Sequence, residues 1–303
     1  LCEGRFPIEV VRSMIEGGLD RGRWRELAET GVFSLAVPEA DGGVGLGWAE
    51  AAVVFEQLGR ALVPGPLTAT TLAAGLVDGA IDGATVVTTV ERTDGPLLVE
   101  HLADADVIVI VDDDGLWSVP AAELAGRPAA QPLDPLTPVH RVAALPPGDR
   151  IGDAEAARAW RRHGALLTTA LQLGLAAGAT DLAVGYARER EQFGKPIGAF
   201  QAVLHRCSDM VTRVEVLRAA VYAAAVTADG NGVDDPDRAV AVAKVLASTS
   251  AAACGKDAVQ VHGGMGYTWE VDAHLFLKRA WVLDLAFGEG DGHAEGLAAV
   301  LAS

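Results

Sequence analysis

The stretch 260-QVHGGMGYTWE-270 sets three glycines and two aromatic residues into an alanine-rich, helical second half of the chain. Glycine in a helix interior costs about 1 kcal/mol relative to alanine, so a helix that reaches Gln260 should end here. Two readings follow. Gly263 caps the helix and Tyr267 and Trp269 plug the turn behind it, or the consecutive glycines let the backbone approach a ligand closely, with bare N–H groups able to hold a pyrophosphate.

Working outward, apolar spacing predicts long helices over 156–190, 201–229, 236–262 and 272–286. Asp235 is a good N-cap and Pro236 a good first helical residue, which sets one start well. Small residues such as 251-AAACG-255 permit close helix approach, so an antiparallel four-helix bundle is expected. Toward the N-terminus, 9–30 and 48–63 carry helical spacing around a loop, 31-GVFSLAVPEADGGVGLG-47. Pro64 and Pro66 close that part. Strand-like runs follow at 85–90, 107–111 and 116–119, with 112-DDDG-115 as a hairpin turn, and the six prolines of 126–150 suggest strand edges and a linker. The expected organisation is mainly α with a small β domain: a helical domain over 1–66, a β domain over 67–150 and a bundle over 151–303.

Half of the 303 residues are apolar, enough for a large core, and 24 Lys and Arg against 41 Asp and Glu leave a net charge of −17. That field repels nucleic acid and acidic membrane surfaces, so an anionic ligand would need a local basic pocket. Cys2, Cys207 and Cys254 show no CxxC spacing, which points to a reducing, cytoplasmic setting without a disulfide framework or zinc site. The uncharged run 164–180 contains Thr168, Thr169 and Gln172 and reads as a buried core helix, not a membrane span. GxSxG, Walker, GxGxxG and HExxH motifs are absent, as is any Glu-x-x-His pair for a di-metal bundle site, and no metal is expected. His163, His205 and His274 read as surface or structural histidines.

A second stretch carries chemistry: 186-YAREREQFGKPIGAFQ-201. Arg188 and Arg190 bring positive charge to a helix end, Gln192 and Gln201 offer amide donors and acceptors, and Phe193 offers a flat apolar face, a set suited to a dinucleotide. The alternative is a plain break between two helices at Gly194-Lys195-Pro196 with solvated arginines.

Together the Arg-x-x-Phe-Gly…Gln and Gln-x-x-Gly-Gly-x-Gly-Tyr patterns resemble the acyl-CoA dehydrogenase family of flavoproteins. Residues 24–64, with 34-SLAVPEADGGVGLG-47, look like its N-terminal helical domain, and 154–303 like its C-terminal four-helix domain. The resemblance implies FAD held across a subunit interface. Arg190, Gln192, Phe193 and Gln201 would meet the FAD of a neighbouring subunit, while Gln260, Gly263 and Gly264 line its ADP part. Two departures stand out. Nothing between Pro66 and Asp106 resembles the family's Thr-Glu-Pro-x-x-Gly-Ser-Asp flavin-ring loop, so the middle domain looks shortened. The family's catalytic glutamate, counted forward from Gly266, falls on Phe287, and Glu289 in 287-FGEGDGH-293 becomes the candidate base only with a small gap. The region 160-WRRHGALLTT-169, where some members carry that glutamate, has none.

Shortened chains of this kind resemble the paired subunits of heterotetrameric acyl-CoA dehydrogenases of steroid side-chain degradation. That implies a bulky acyl-CoA substrate, a homologous partner in an α2β2 assembly and an electron-acceptor flavoprotein. A non-enzymatic helical interaction protein that kept the fold and lost the cofactor is the competing reading.

Overall fold

A computed structural model of the chain describes residues 2–232 and 235–302. It divides into two compact units, one formed by Glu3–Ala51 with Pro64–Gly164, the other by Ala52–Val63 with the chain from Ala165 onward.

The first unit opens with helices α1 (Cys2–Arg5), α2 (Ile8–Gly17) and α3 (Arg21–Ala28). The single helix expected over 9–30 is therefore two. Gly18 sits at φ 71°, and Asp20 accepts hydrogen bonds from the N–H groups of Gly22 (2.9 Å) and Arg23 (3.1 Å), so the chain stops and restarts on a new N-cap. The 31–47 loop leads into α4 (Trp48–Arg60), in which the boundary between the units falls. Pro66, read from sequence only as an end, immediately precedes a further helix, α5 (Leu67–Ala73), whose seven residues are all buried. Thr68, Thr70 and Thr71 of this segment hid it, because β-branched residues read more readily as strand.

The strands are β1 (Val87–Glu91), β2 (Leu97–Glu100), β3 (Val107–Val111), β4 (Gly115–Pro120), β5 (Gly126–Pro128), β6 (Val139–Val142) and β7 (Asp149–Asp153). They form one sheet in the order β1-β3-β4-β7 and another in the order β2-β6-β5. β1 pairs with β3 in parallel, Val87 opposite Val107, whereas β3 and β4 form the expected hairpin. Asp112 makes its turn, Oδ1 accepting from the N–H groups of Asp114 and Gly115 at 3.1 Å each. Val90, Val99, Ile108, Ile110, Val119 and Val142 share one apolar cluster, the core of this β part.

The second unit holds the bundle: α6 (Ala154–Glu189, of which the part from Ala165 belongs here), α7 (Gln201–Ala228), α8 (Pro236–His262), α9 (Ala273–Leu285) and α10 (Gly290–Leu301). Between α6 and α7 lie the two short strands β8 (Glu191–Gln192) and β9 (Lys195–Pro196). Asp235 caps α8 as expected, accepting from the N–H of Arg238 at 3.0 Å. The glycine-rich α10 lay outside the sequence reading, since three of its first seven residues are glycine. α6 is long and apolar enough to cross a membrane, yet 83 % of its apolar window is buried inside the protein, which is how a core helix is placed.

The C-terminal part of α4 packs on α6 backbone to backbone. A Cβ at Gly59 would stand 2.1 Å from the Leu171 carbonyl oxygen, and one at Gly174 would stand 2.0 Å from that of Glu56. The same segment is tied to α7 through Glu56, which is 3 % exposed. Its Oε1 accepts from Arg218 Nη2 at 2.8 Å and its Oε2 from the Tyr222 hydroxyl at 2.6 Å. Removing Glu56 leaves the Tyr222 hydroxyl without its acceptor and the half-buried Arg218 with Glu215 alone, so Glu56→Ala should lower unfolding free energy by about 1–3 kcal/mol in urea titrations. The double variant Glu56→Ala/Arg218→Met should lose clearly less than the sum of the singles.

Candidate functional site

The 186–201 segment is neither a plain helix break nor a loose loop. α6 runs on to Glu189, with the Arg190 N–H still bonded to the Tyr186 carbonyl at 2.8 Å, and β8 and β9 then form a tight antiparallel hairpin. Its two turn residues, Phe193 (φ 53°) and Gly194 (φ 79°), are both left-handed, the requirement of a two-residue hairpin turn. Phenylalanine is a poor occupant of that region, where glycine, asparagine and aspartate are favoured. It is also 92 % exposed, resting only edge-on at 6.0 Å against Phe200. A strained backbone that lifts a large apolar ring into solvent is a feature of contact surfaces and ligand sites. Arg190, Gln192 and Gln201 are exposed beside it, and among the described residues the Arg190 guanidinium has no partner. Gln192 Nε2 donates only to the neighbouring Glu191 carbonyl, at 2.8 Å.

The opening motif lies at the same end of the bundle. Tyr186 on α6 stacks on His262 at the end of α8, ring centroids 4.3 Å apart, which brings the two sequence motifs together. His262 is pinned by its own helix, Nδ1 lying 2.8 Å from the Ala258 carbonyl. α8 then ends on Gly263 at φ 62°, and a short 3-10 turn covers Gly263–Tyr267. A Cβ at Gly263 or Gly264 would meet nothing within 4 Å, whereas one at Gly266 would lie 2.4 Å from the Val259 carbonyl oxygen. The first two glycines therefore border open space and the third serves packing. Tyr267 and Trp269 do not plug the turn, for they are 79 % and 56 % exposed. Trp269 instead carries Lys278 Nζ over its ring at 4.8 Å and the edge of His274 at 4.7 Å. Gln260 is exposed on the last turn of α8.

Glu289 stands apart from this group. It is the exposed N-cap residue of α10 with no side-chain cap bond, in the connector that follows α9. That connector packs on α8 through Ser248, where a Cβ at Gly290 would come within 2.6 Å of Oγ. Fifteen residues of helix separate Ser248 from Gly263, about 22 Å at 1.5 Å per residue. The structure therefore gathers Arg190, Gln192, Phe193, Gln201, Gln260, Gly263 and Gly264 at one end of the bundle and holds Glu289 farther back along α8. Phe287 (φ 54°) and Gly288 (φ 95°) make the connector left-handed twice in succession.

Lys244 on α8 escaped the sequence reading. It is 0 % exposed, and its ammonium donates to the carbonyls of Leu283 (2.8 Å) and Ala286 (3.0 Å). Burial pushes its pKa down to about 8, with Asp284 pulling weakly the other way. A lone lysine in the otherwise uncharged run 239-AVAVAKVLASTS-250 was the available signal. His163, by contrast, has the structural role expected of it: it stacks on Trp48 at 3.9 Å, and burial with Arg162 nearby pushes its pKa down to about 4, so it is neutral at neutral pH.

A helical unit with small β sheets, followed by a bundle whose turns present arginine, glutamine and aromatic groups to solvent, is an architecture also seen in solved structures. Residues 3–84 match the acyl-CoA dehydrogenase N-terminal domain and residues 156–302 the acyl-CoA dehydrogenase C-terminal domain. Over 292 residues the chain is 36 % identical to acyl-CoA dehydrogenase IpdE2 of Mycolicibacterium smegmatis, an alignment that covers 92 % of this chain and 88 % of that protein. In fold it is similar to a variant of the Tcur3481-Tcur3483 steroid ACAD (TM-score 0.85, 24 % identity, 99 % of this chain and 94 % of that one). It is similar in the same way to the ChsE4-ChsE5 complex from Mycobacterium tuberculosis (TM-score 0.83, 24 % identity, the same shares covered). The chain belongs to the acyl-CoA dehydrogenase family, whose members are FAD-dependent oxidoreductases.

The buried lysine makes a pH test available. Free lysine titrates near 10.5 and Lys244 near 8, so between these values the unfolded chain binds more protons and stability rises with pH. Burial raises Cys254 from 9.0 to about 11 and Tyr222 from 10.0 to about 12, and Cys207 also upward; the two thiols oppose the rise progressively from about pH 8, where the unfolded thiols begin to ionise, and the phenol from about pH 9. The change in unfolding free energy from pH 8 to 9 should therefore be more favourable by about 1 kcal/mol in wild type than in Lys244→Met, which keeps only the opposing thiol contribution.

Proposed function

We propose that this chain is one subunit of an FAD-dependent acyl-CoA dehydrogenase that introduces an α,β double bond into a bulky acyl-CoA, of the steroid side-chain kind, in a cytoplasmic α2β2 assembly with a homologous subunit. The observation that carries this reading is the outward hairpin: Phe193 stands 92 % exposed on strained backbone, beside the exposed Arg190. Such a group is useful only against something outside this chain. The three-part organisation over 1–66, 67–150 and 151–303 is part of the same proposal.

FAD fits the residues present. Arg190 offers a planar fork of donors for a pyrophosphate, Phe193 a face for a flat ring, Gln192, Gln201 and Gln260 amides for polar edges, and Gly263 and Gly264 a bare backbone next to open space. Bound FAD supplies the acceptor for the hydride that leaves the β-carbon of the thioester. The chain's own part is to hold the ADP side; its candidate for the α-proton, Glu289, stands two residues past the position the family's glutamate takes. The missing flavin-ring loop and the displaced glutamate leave ring contacts and, with them, the proton-abstracting group to the homologous partner. The names of similar folds support a paired, steroid-directed enzyme: one is a steroid ACAD, the other a ChsE4-ChsE5 complex. A separate flavoprotein takes the electrons onward.

Arg190→Ala should weaken FAD binding by about 2–4 kcal/mol, read as the flavin-to-protein ratio after desalting, while Gly263→Val should expel FAD with helix content unchanged. Unaltered flavin retention in both would remove this end of the bundle from the cofactor site. Expressed alone, the chain should be colourless or poorly soluble; with its homologous partner it should purify yellow and at tetramer mass. A fully flavinated, active homotetramer of this chain would overturn the two-subunit reading. Glu289→Gln in the complex should leave FAD bound and, with the base on the partner, leave flavin reduction by acyl-CoA intact.

A further inference from the structure

α9 ends in a segment held from three sides. Lys244 on α8 donates from its buried ammonium to the Leu283 and Ala286 carbonyls at 2.8 and 3.0 Å, where the last turn of α9 has no helical donors left and the helix dipole is negative. Asp284 Oδ1 accepts from the Gly290 N–H at 3.3 Å, bridging the connector to the start of α10. From α10, His293 Nε2 lies 3.1 Å from the Phe287 carbonyl oxygen. Ser248, one turn beyond Lys244, packs on Gly290 closely enough to exclude a side chain there. Between these anchors stand Phe287 at φ 54° and Gly288 at φ 95°. A left-handed phenylalanine is strained and persists only where its surroundings over-determine it. A charged amine at zero exposure is equally unfavourable unless hydrogen-bonded, and here it is spent on two carbonyls of this one segment.

We propose that Lys244 is the positioning residue of the 286–290 connector: its buried ammonium, set against the Leu283 and Ala286 carbonyls, holds the left-handed pair Phe287–Gly288 and so fixes where Phe287 and Glu289 stand. As a statement about catalysis this rests on the reading that the connector faces the acyl-CoA; as a statement about the connector it does not. Asp284 is the acidic group that acts on the ammonium, and its oxygen is shared with the Gly290 N–H.

The test is hydrogen exchange by mass spectrometry on the full chain, in the assembly in which it purifies, comparing wild type with Lys244→Met and Lys244→Gln. Lys244→Met should exchange at least about tenfold faster over 284–293, with peptides from the middle of α7 unchanged, and Lys244→Gln, which keeps an N–H donor, should fall between. Unchanged protection at 284–293, or acceleration spread evenly over the bundle, overturns the proposal, the second by making Lys244 an ordinary core residue. If Lys244→Met fails to fold, Lys244→Gln carries the same comparison. In the flavinated complex, a tenfold lower kcat with KM and FAD content unchanged extends the positioning role to the reaction. Local loosening with unaltered kcat confirms the clamp and removes this connector from the catalytic reading.

Discussion

Two glycines set the distance on which the second unit depends. At Gly59 and Gly174 the backbones of α4 and α6 touch carbonyl to Cα, and no other residue fits at either place without driving the helices apart. Only at that distance does the Glu56 carboxylate reach Arg218 and Tyr222 on α7, which converts a packing contact into a satisfied buried charge. Farther along α6, Gly178 lets Phe276 of α9 pack against the same helix, with a Cβ there only 2.5 Å from the ring. α6 thus becomes a fixed beam, and its last turn carries Arg188 and Arg190 to a defined height beside the end of α8, where Tyr186 meets His262.

α8 shows how one helix serves two ends with opposite physical demands. At its C-terminus the chain needs exposed backbone and open space, and it uses Gly263 and Gly264, with no neighbour where a side chain would grow. Near its N-terminus it needs a firm grip on the connector after α9, and it uses a buried charge. Lysine suits that task because its stem fills apolar space and its ammonium has three donors for carbonyls that a helix end leaves unsatisfied. An apolar residue of the same length would pack as well and would leave both carbonyls without a donor.

The long elements were legible in the sequence because their signals are local. The four long bundle helices, the Asp235 cap and the Asp112 hairpin each follow from spacing or turn chemistry within a few residues. The 9–30 helix was overextended because Gly17-Gly18 was outweighed by the apolar spacing on either side, although Asp20 was there to restart a helix. The Phe193–Gly194 hairpin was illegible for a different reason: the turn demands a left-handed residue where phenylalanine has no preference for one, so local propensity points the wrong way. Lys244 failed similarly. A lysine reads as surface until the helix–helix contacts that bury it are known, and those come from residues about forty positions later. Of the candidate site, residue types and their order could be read; that Tyr186 and His262 join the two motifs, and that Glu289 sits elsewhere along α8, is tertiary information.

The placement of Phe193 bears on why a chain of this kind would not act alone. A ring 92 % exposed leaves about 150–250 Å² of apolar surface, at most, in contact with water, and its left-handed backbone costs a further one to three kcal/mol. Among the described residues, the one ring contact of Phe193 is the edge of Phe200. Tyr267, Trp269 and Met265 around the glycine turn, and Leu204, Val211 and Val216 on α7, are further exposed apolar side chains. Local conformations that cost free energy persist when they are repaid in a complex, and on the two-subunit reading the repayment comes from cofactor and partner together. On that reading, a chain without the flavin-ring loop but with an outward-facing hairpin and glycine turn completes a site by pairing with a different subunit and not with itself.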